Sequence, residues 1–264
     1  MTPTSTQPGF GPLLRDWRRR QRITQLDLAL EAGISAKHLS FVETGRSNPS
    51  PEMVLLLAKQ LGVPFRERNL LLVAAGHAPA FPERSLDDAE LAPARAGLDL
   101  ILSAHEPYPA VAFDRAWNLV AANAAVSVLT HEVDSELLAP PANVMRISLH
   151  PRGMAPRIIN LAEVRAHFLD RLRRQLATTG DDQLAALIDE ISGYPSPDPA
   201  PDSSPRDMLG PIRLRGVEEG ELSFFGMFAT FDTPFDVTTS ELAIEFVFPA
   251  DPPTAAALED LHRK

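Results

Sequence analysis

The chain has 264 residues, of which 44% are hydrophobic and 23% charged, a balance typical of a folded globular protein rather than a disordered or fibrous one. It contains no cysteine, which excludes disulfides, thiolate metal sites and cysteine nucleophiles. No apolar run approaches the roughly 18 residues needed to cross a bilayer, and the N-terminus lacks the basic start and apolar core of a signal peptide. We therefore expect a soluble, cytoplasmic protein without a membrane partner.

The formal net charge of −10 is divided unevenly along the chain. Residues 1–76 carry 10 Lys and Arg against 6 Asp and Glu, whereas residues 77–264 carry 15 against 29. Such an asymmetry indicates that the first part meets a polyanion and that the second does not.

Five short helices are predicted between Pro12 and Gly76. In each, apolar residues recur at helical spacing. Thr24 and Ser35 stand where N-cap residues belong, and Gly33 is placed to end the second helix. We expect residues 1–76 to form an all-α domain.

The second and third helices carry the most specific pattern. A turn containing Gly33, with the small Ala29 one helical turn earlier, lets two helices cross at a steep angle. The full pattern reads Thr24-Gln25-x-x-Leu28-Ala29-x-x-x-Gly33-x-Ser35, then Leu39-Ser40-x-x-Glu43-x-Gly45-Arg46-x-x-Pro49-Ser50. It resembles the Xre/Cro/C1-type helix-turn-helix family over about residues 10–76. That resemblance implies a five-helix DNA-binding fold.

In such a fold the third helix is the recognition helix. Leu39 and Val42 would face the core, which leaves Lys37 free to donate to guanine O6 and N7 in the major groove. Thr24 and Gln25 are placed to bind a backbone phosphate. The predicted DNA-binding residues are Thr24, Gln25, Ser35, Ala36, Lys37, His38, Ser40, Phe41 and Arg46.

The alternative for each of these residues is a solvated surface position without DNA contact. If they do bind, the partner is double-stranded DNA. Because one such domain covers little DNA surface, we expect a homodimer on a two-fold site.

Residues 77–96 are rich in proline and acidic side chains and are predicted to be a linker that leads into a helix ending near residue 104. Residues 97–264 are long enough for a core of their own. A hairpin is predicted over residues 110–122, followed by several helices and by three late strands over residues 212–215, 221–231 and 242–248. Residues 194–205, rich in proline and serine, are expected to form an exposed loop. The order predicts an α+β domain.

This order resembles a PAS-like sensor domain, whose five-stranded antiparallel sheet curls around a pocket. The likeness extends to Trp117-Asn118-x-x-x-x-Asn123, His150-Pro151-x-Gly153 and Phe248-Pro249-Ala250-Asp251. Together with the helix-turn-helix pattern, these motifs resemble the MmyB-like transcription regulators almost from end to end. The resemblance implies transcriptional regulation, a PAS-like ligand-binding and dimerisation domain over residues 97–264, and a fatty-acid-like occupant. The inducer, the operator and the sign of regulation stay open.

Seven of the 13 phenylalanines fall between residues 224 and 248. Apolar residues on both faces of these strands indicate a sheet covered on both sides, by helices on one and a ligand on the other. An ordinary filled core is the alternative. Glu245 lies opposite the Phe246 face and is expected to be an ion-pair partner, not a ligand contact. The predicted ligand-binding residues are Phe224, Phe228 and Phe246, with Arg146, His150 and Arg157, and also Arg171, as candidate partners of a carboxylate.

Signatures of catalysis are missing from the sequence. It has no G-x-x-x-x-G-K loop, no G-x-G-x-x-G after a strand and no G-x-S-x-G elbow, and its seven histidines show no metal-ligand spacing. We expect no catalytic residue, no metal and no cofactor beyond a bound apolar ligand. The alternative to a ligand-responsive regulator is a constitutive DNA-binding regulator whose C-terminal domain only dimerises.

Overall fold

A computed structural model describes residues 9–195, 210–216, 220–231 and 234–263. By its contacts, the chain divides into two units. The first comprises Met1–Arg84 with Thr233–Ser240, and the second comprises Ser85–Asp232 with Glu241–Lys264. Most of the proline-rich loop expected at residues 194–205 lies outside the described residues.

The first unit contains the five predicted helices. They are α1 (Phe10–Arg20), α2 (Gln25–Glu31), α3 (Ala36–Glu43), α4 (Pro51–Gln60) and α5 (Phe65–Ala74). The side chains of Thr24, Ser35 and Ser50 each accept a hydrogen bond from a backbone amide in the first turn of the helix that follows, so these N-caps are confirmed. Gly33, in the α2–α3 turn, has φ +65°, a conformation that L side chains rarely adopt. The all-α prediction is confirmed.

A buried carboxylate joins three of these helices. Glu43, at the end of α3, is 2% exposed. It accepts hydrogen bonds from Nε of Arg18 on α1 at 2.6 Å and from Nε2 of Gln25 on α2 at 2.7 Å. Burial works to raise the pKa of Glu43, but the hydrogen bonds from Arg18 and Gln25 and the charge of Arg18 outweigh it, and the pKa is lowered. Glu43 is therefore ionised at neutral pH.

The first unit also holds residues from late in the chain. Asp236 is fully buried and accepts from Nη1 of Arg84 at 3.0 Å. The amide of Val237 donates to the carbonyl of Pro82 at 2.9 Å. Residues 234–240, which lie between the last two predicted strands, are thus anchored to the segment that follows α5.

The second unit is built on a five-stranded antiparallel sheet in the order β2-β1-β5-β4-β3. The strands are β1 (Ala110–Phe113), β2 (Leu119–Ala122), β3 (Ile212–Arg215), β4 (Glu221–Thr230) and β5 (Ala243–Pro249). The helices are α6 (Ala92–Ala104), α7 (Ser127–Thr130), α8 (Ser135–Leu138), α9 (Val144–Leu149), α10 (Leu161–Thr179), α11 (Asp182–Ser192), α12 (Val237–Glu241), whose first four residues belong to the first unit, and α13 (Pro252–Arg263). The predicted α+β fold with five antiparallel strands is confirmed.

Each face of this sheet packs differently. On the inner face, Phe113 and Phe224 join the main core together with Phe168 and Leu172 of α10. On the outer face, Ala110, Ala112 and Ile244 pack beneath Leu98 and Leu102 of α6. Because side chains alternate along a strand, neighbouring residues of β5 belong to opposite faces.

The predicted hairpin is shorter than expected, because Trp117 lies in its turn. Trp117 has φ +67° and is 3% exposed. Its ring stacks on Phe113 with centroids 4.5 Å apart, and its indole N–H donates to Gln175 at 2.9 Å. The Asp114 carboxylate accepts hydrogen bonds from the amides of Ala116 and Asn118 and stabilises the turn.

Within the described ranges, no helix is long and apolar enough to cross a membrane.

Replacing Glu43 with Gln is expected to weaken protection of the α1–α3 amides from hydrogen exchange by about 3 kcal/mol, because Arg18 then keeps a mostly buried charge without its partner. The folded pKa lies below the ordinary value of 4.5, so the pair stabilises at neutral pH and its contribution is lost as the pH falls through that lowered pKa. The variant should therefore lose less protection than the wild type on acidification. Exchange read by mass spectrometry tests both statements, with the exposed Glu31→Gln as control. Equal protection in the two variants would contradict them.

Candidate functional site

The outward face of α3 carries an exposed cationic cluster. Leu39 and Val42 are buried, at 0% and 1% exposure, so the opposite face of α3 points outward as predicted. The ammonium of Lys37 lies 5.7 Å from the centroid of the Phe41 ring, and the guanidinium of Arg46 lies 5.9 Å from the same centroid. Lys37, Phe41 and Arg46, here called the α3 cluster, thus place two cations around one aromatic ring.

The predicted phosphate-binding residues have internal roles as well. The Thr24 hydroxyl accepts the amide of Asp27 and caps α2. Nε2 of Gln25 donates one N–H to Glu43, and since a carboxamide nitrogen carries two, the other stays available for a phosphate. The Ser35 hydroxyl caps α3 by accepting the amide of His38. Ala36, His38 and Ser40 are half-buried on α3.

An apolar cavity of about 110 Å³ lies in the second unit, on the inner face of the sheet. Strands β1, β3, β4 and β5 line it together with α9 and α10, through side chains such as Val111, Phe224 and Phe168. Thr130, Ser148 and Glu245 contribute the polar side chains of its lining.

The three predicted phenylalanines lie in different surroundings. Phe224 lines the cavity. Phe228 shares the inner face but packs edge-on against Phe113 and Trp117. Phe246 lies on the outer face, 5.0 Å from the ring of His105. The face that bears Phe246 is therefore not the cavity face, because α6 covers it.

Arg146, His150 and Arg157 are each engaged elsewhere. Nη2 of Arg146 donates to Glu190 at 2.8 Å. Nδ1 of His150 accepts the amide of Arg152 at 3.0 Å. In the part of the chain that the structure describes, none of the three lines the cavity.

Arg157 supports two separate chain segments. It is 6% exposed, and its guanidinium donates to the carbonyls of Val128, Leu129, His131 and Arg215. Burial lowers the pKa of Arg157. This geometry shows that Arg157 holds backbone segments together and is not a partner for a ligand.

Glu245 lies opposite Phe246, as predicted, but its face and not that of Phe246 is the cavity face. It faces the cavity, and burial raises the pKa of its carboxyl to about 7, although the charge of Arg171 opposes this. The sequence shows Glu245 as the one acid inside the apolar run Ile244-Glu245-Phe246-Val247-Phe248. It does not show which face of this strand lines the cavity. No group of three metal-binding side chains suited to hold an ion occurs among the described residues.

Comparison with known proteins matches both units. Residues 14–68 match a helix-turn-helix family, and residues 94–261 match the MmyB-like transcription regulator ligand binding domain. The chain thus combines a helix-turn-helix domain with a ligand-binding domain. Since the second match covers more than half of its length, the chain belongs to the MmyB-like transcription regulators.

One curated relative is 40% identical over 82 residues, which are 31% of this chain and 57% of the relative. It is described as an uncharacterized HTH-type transcriptional regulator, RghRB, from Bacillus subtilis (strain 168). Among solved structures, an RNA-binding Light-Oxygen-Voltage receptor aligns over 97% of this chain and 62% of its own, at 14% identity and a TM-score of 0.27. The matched regions thus span less than two thirds of either protein.

Arg157→Lys is expected to destabilise the second unit by about 2–4 kcal/mol, because a lysine cannot reach the carbonyls of both segments at once and leaves several of them unpaired. Chemical denaturation followed by tryptophan fluorescence measures the loss. Arg174→Lys, at an exposed position on α10, is the matched control and should change stability by less than about 0.5 kcal/mol. An Arg157→Lys variant of unchanged stability that no longer bound a fatty acid would instead assign Arg157 to the ligand.

Proposed function

We propose that this protein is a homodimeric transcriptional regulator that binds specific duplex DNA through α3 and responds to a small, fatty-acid-like molecule held in the apolar cavity. The observation that carries the proposal is the presence, in one chain, of an exposed cationic recognition surface and an apolar cavity with a single buried acid. In this proposal the protein has no catalytic role.

The DNA-binding part rests on charge and geometry. The excess of basic residues lies in residues 1–76. Of the α3 cluster, Lys37 is exposed on α3, whose other face is buried, and Arg46 is exposed just beyond the end of that helix. Lys37 reaches base edges, while Arg46 and Gln25 reach phosphates. Because α3 is fixed to α1 and α2 through Glu43, this surface is preorganised and loses little conformational entropy on binding.

The ligand part rests on the cavity. A pocket lined almost wholly by apolar side chains favours an apolar occupant. Its volume of about 110 Å³ is below the range of about 300–1,000 Å³ that is usual for ligand sites. A short chain fits with small adjustments, whereas a longer one has to displace the lining.

That displacement offers a route to regulation. Strands β4 and β5 both line the cavity, and the chain between them includes residues 234–240, which are anchored in the first unit through Asp236 and Val237. A ligand that shifts the two strands acts on this connection. By linkage, the resulting change in DNA affinity equals the difference in ligand affinity between the two states.

Dimerisation by the second unit alone is the alternative function. Phe225 and Met227, on the outer face of β4, are 48% and 53% exposed. Such a patch suits contact with a second copy and is compatible with either reading. A ligand-dependent change in DNA affinity separates them.

Lys37→Ala is expected to weaken binding to duplexes selected from a random library by the full-length protein, by about 5- to 150-fold. Lys59→Ala removes the same charge from an exposed position on α4 and should weaken binding only slightly. Fluorescence anisotropy on the selected and on a scrambled duplex measures both. Equal losses for the two variants would mean that Lys37 acts only through general attraction.

Val144→Phe is expected to fill the cavity and abolish binding of decanoic acid, because Val144 lines it. Native mass spectrometry of the protein soaked with decanoic acid should show a bound mass that disappears on denaturation. The matched control Val120→Phe, at an exposed position on β2, should retain it. Absence of any adduct from the wild type would favour a filled core and the dimerisation alternative.

A further inference from the structure

We propose that Glu245 is a ligand-contacting residue, whose carboxyl group donates a hydrogen bond to an oxygen of an otherwise apolar ligand. The proposal rests on the proposed function, since it requires that the cavity is occupied. It adds the protein group that contacts the polar end of the occupant, which must carry an acceptor oxygen.

The first observation is that the carboxyl group of Glu245 has no protein partner. Within the described ranges, no side chain or backbone group forms a hydrogen bond or a close ion pair with it. The side chain keeps some accessible surface. Because Glu245 is surrounded by protein and lines the cavity, this accessible surface faces the cavity. Its oxygens are therefore within reach of a molecule in the cavity, and a carboxyl group in such apolar surroundings gains from a hydrogen-bond partner there.

The second observation is that the opposite strand keeps this position open. Glu245 pairs with Phe228 of β4, and Gly226 lies two residues away on the same face. A Cβ atom at Gly226 would lie 2.6 Å from Oε1 of Glu245. The carboxyl group therefore lies directly over a residue without a side chain, at the wall of the cavity.

The third observation concerns the nearest charge. Arg171 of α10 acts on Glu245 electrostatically but does not approach within ion-pair distance. Its guanidinium instead lies 3.6 Å from the centroid of the Phe228 ring and 5.0 Å from that of Trp117. Held by two aromatic rings, Arg171 adds a positive potential near Glu245 without satisfying its hydrogen-bonding capacity.

These surroundings determine the protonation state. On β1 and β4 the residues beside Glu245 are Val111, Gly226 and Phe228, which do not titrate, and Arg171 is the charged group that faces it from the helices described. Burial raises the pKa of Glu245 to about 7, so a large fraction is neutral at physiological pH. A neutral carboxyl donates its proton to a ligand carboxylate, whereas two ionised carboxylates repel each other.

Affinity for a carboxylate ligand should therefore fall as the pH rises through the pKa of Glu245. For decanoate and the full-length wild type, we expect about a tenfold loss of affinity between about pH 6 and about pH 8. Decan-1-ol has the same chain but no charge, and its affinity should change less than about twofold over this range. Isothermal titration calorimetry with each probe measures these affinities.

Two variants test the assignment. Glu245→Gln cannot ionise but still donates, so it should bind decanoate with an affinity that does not depend on pH, while the exposed Glu259→Gln should behave like the wild type. Gly226→Ala places a methyl group against the carboxyl and should weaken decanoate more than decanol. Circular dichroism confirms that each variant is folded.

The outcomes separate the two claims. If neither probe binds the wild type, the proposed ligand-binding function and this inference both fail. If both probes bind but the pH profile of decanoate is the same in Glu245→Gln as in the wild type, the cavity binds ligand and Glu245 does not contact it.

Discussion

The buried carboxylate of Glu43 is the constraint on which the DNA-binding unit depends. A charge removed from water must be paired and hydrogen-bonded, and here the donors come from Arg18 on α1 and Gln25 on α2. Satisfying one group therefore fixes the positions of three helices. The consequence is that the outward face of α3, with Lys37, and Arg46 just beyond its end have fixed positions in the unbound protein.

Glu245 is also removed from water, but no donor among the described residues compensates for it. Both acids are buried, but Glu43 has donors and its pKa is lowered, whereas Glu245 has none and its pKa is raised to about 7. The first acid is a structural anion. The second lines the apolar cavity, and in our proposal its neutral form donates a hydrogen bond to a ligand. An acid with partners thus fixes the helices of the first unit, whereas an acid without a hydrogen-bond partner in the described part of the chain lines the cavity of the second.

Local signals predicted much of the fold from the sequence. The caps at Thr24 and Ser35 and the apolar spacing in α3 depend on neighbouring residues, so the first unit followed from them directly. The five strands also followed from their composition. The cavity face did not, because alternation in β5 separates Glu245 from Phe246 but does not tell which set α6 covers. The sequence also did not predict the partners of Arg157 or the ion pair of Arg84 with Asp236, which are 152 residues apart. These contacts depend on tertiary structure.

The proposed function requires that occupancy of the cavity changes the affinity for DNA. The most direct test is the affinity of the full-length protein for its selected duplex, measured by fluorescence anisotropy with and without saturating decanoic acid. We predict a change of at least about fivefold in the wild type and none in Val144→Phe. An unchanged DNA affinity in a wild-type protein shown to hold decanoic acid would contradict this coupling. It would favour the alternative of a constitutive DNA-binding dimer.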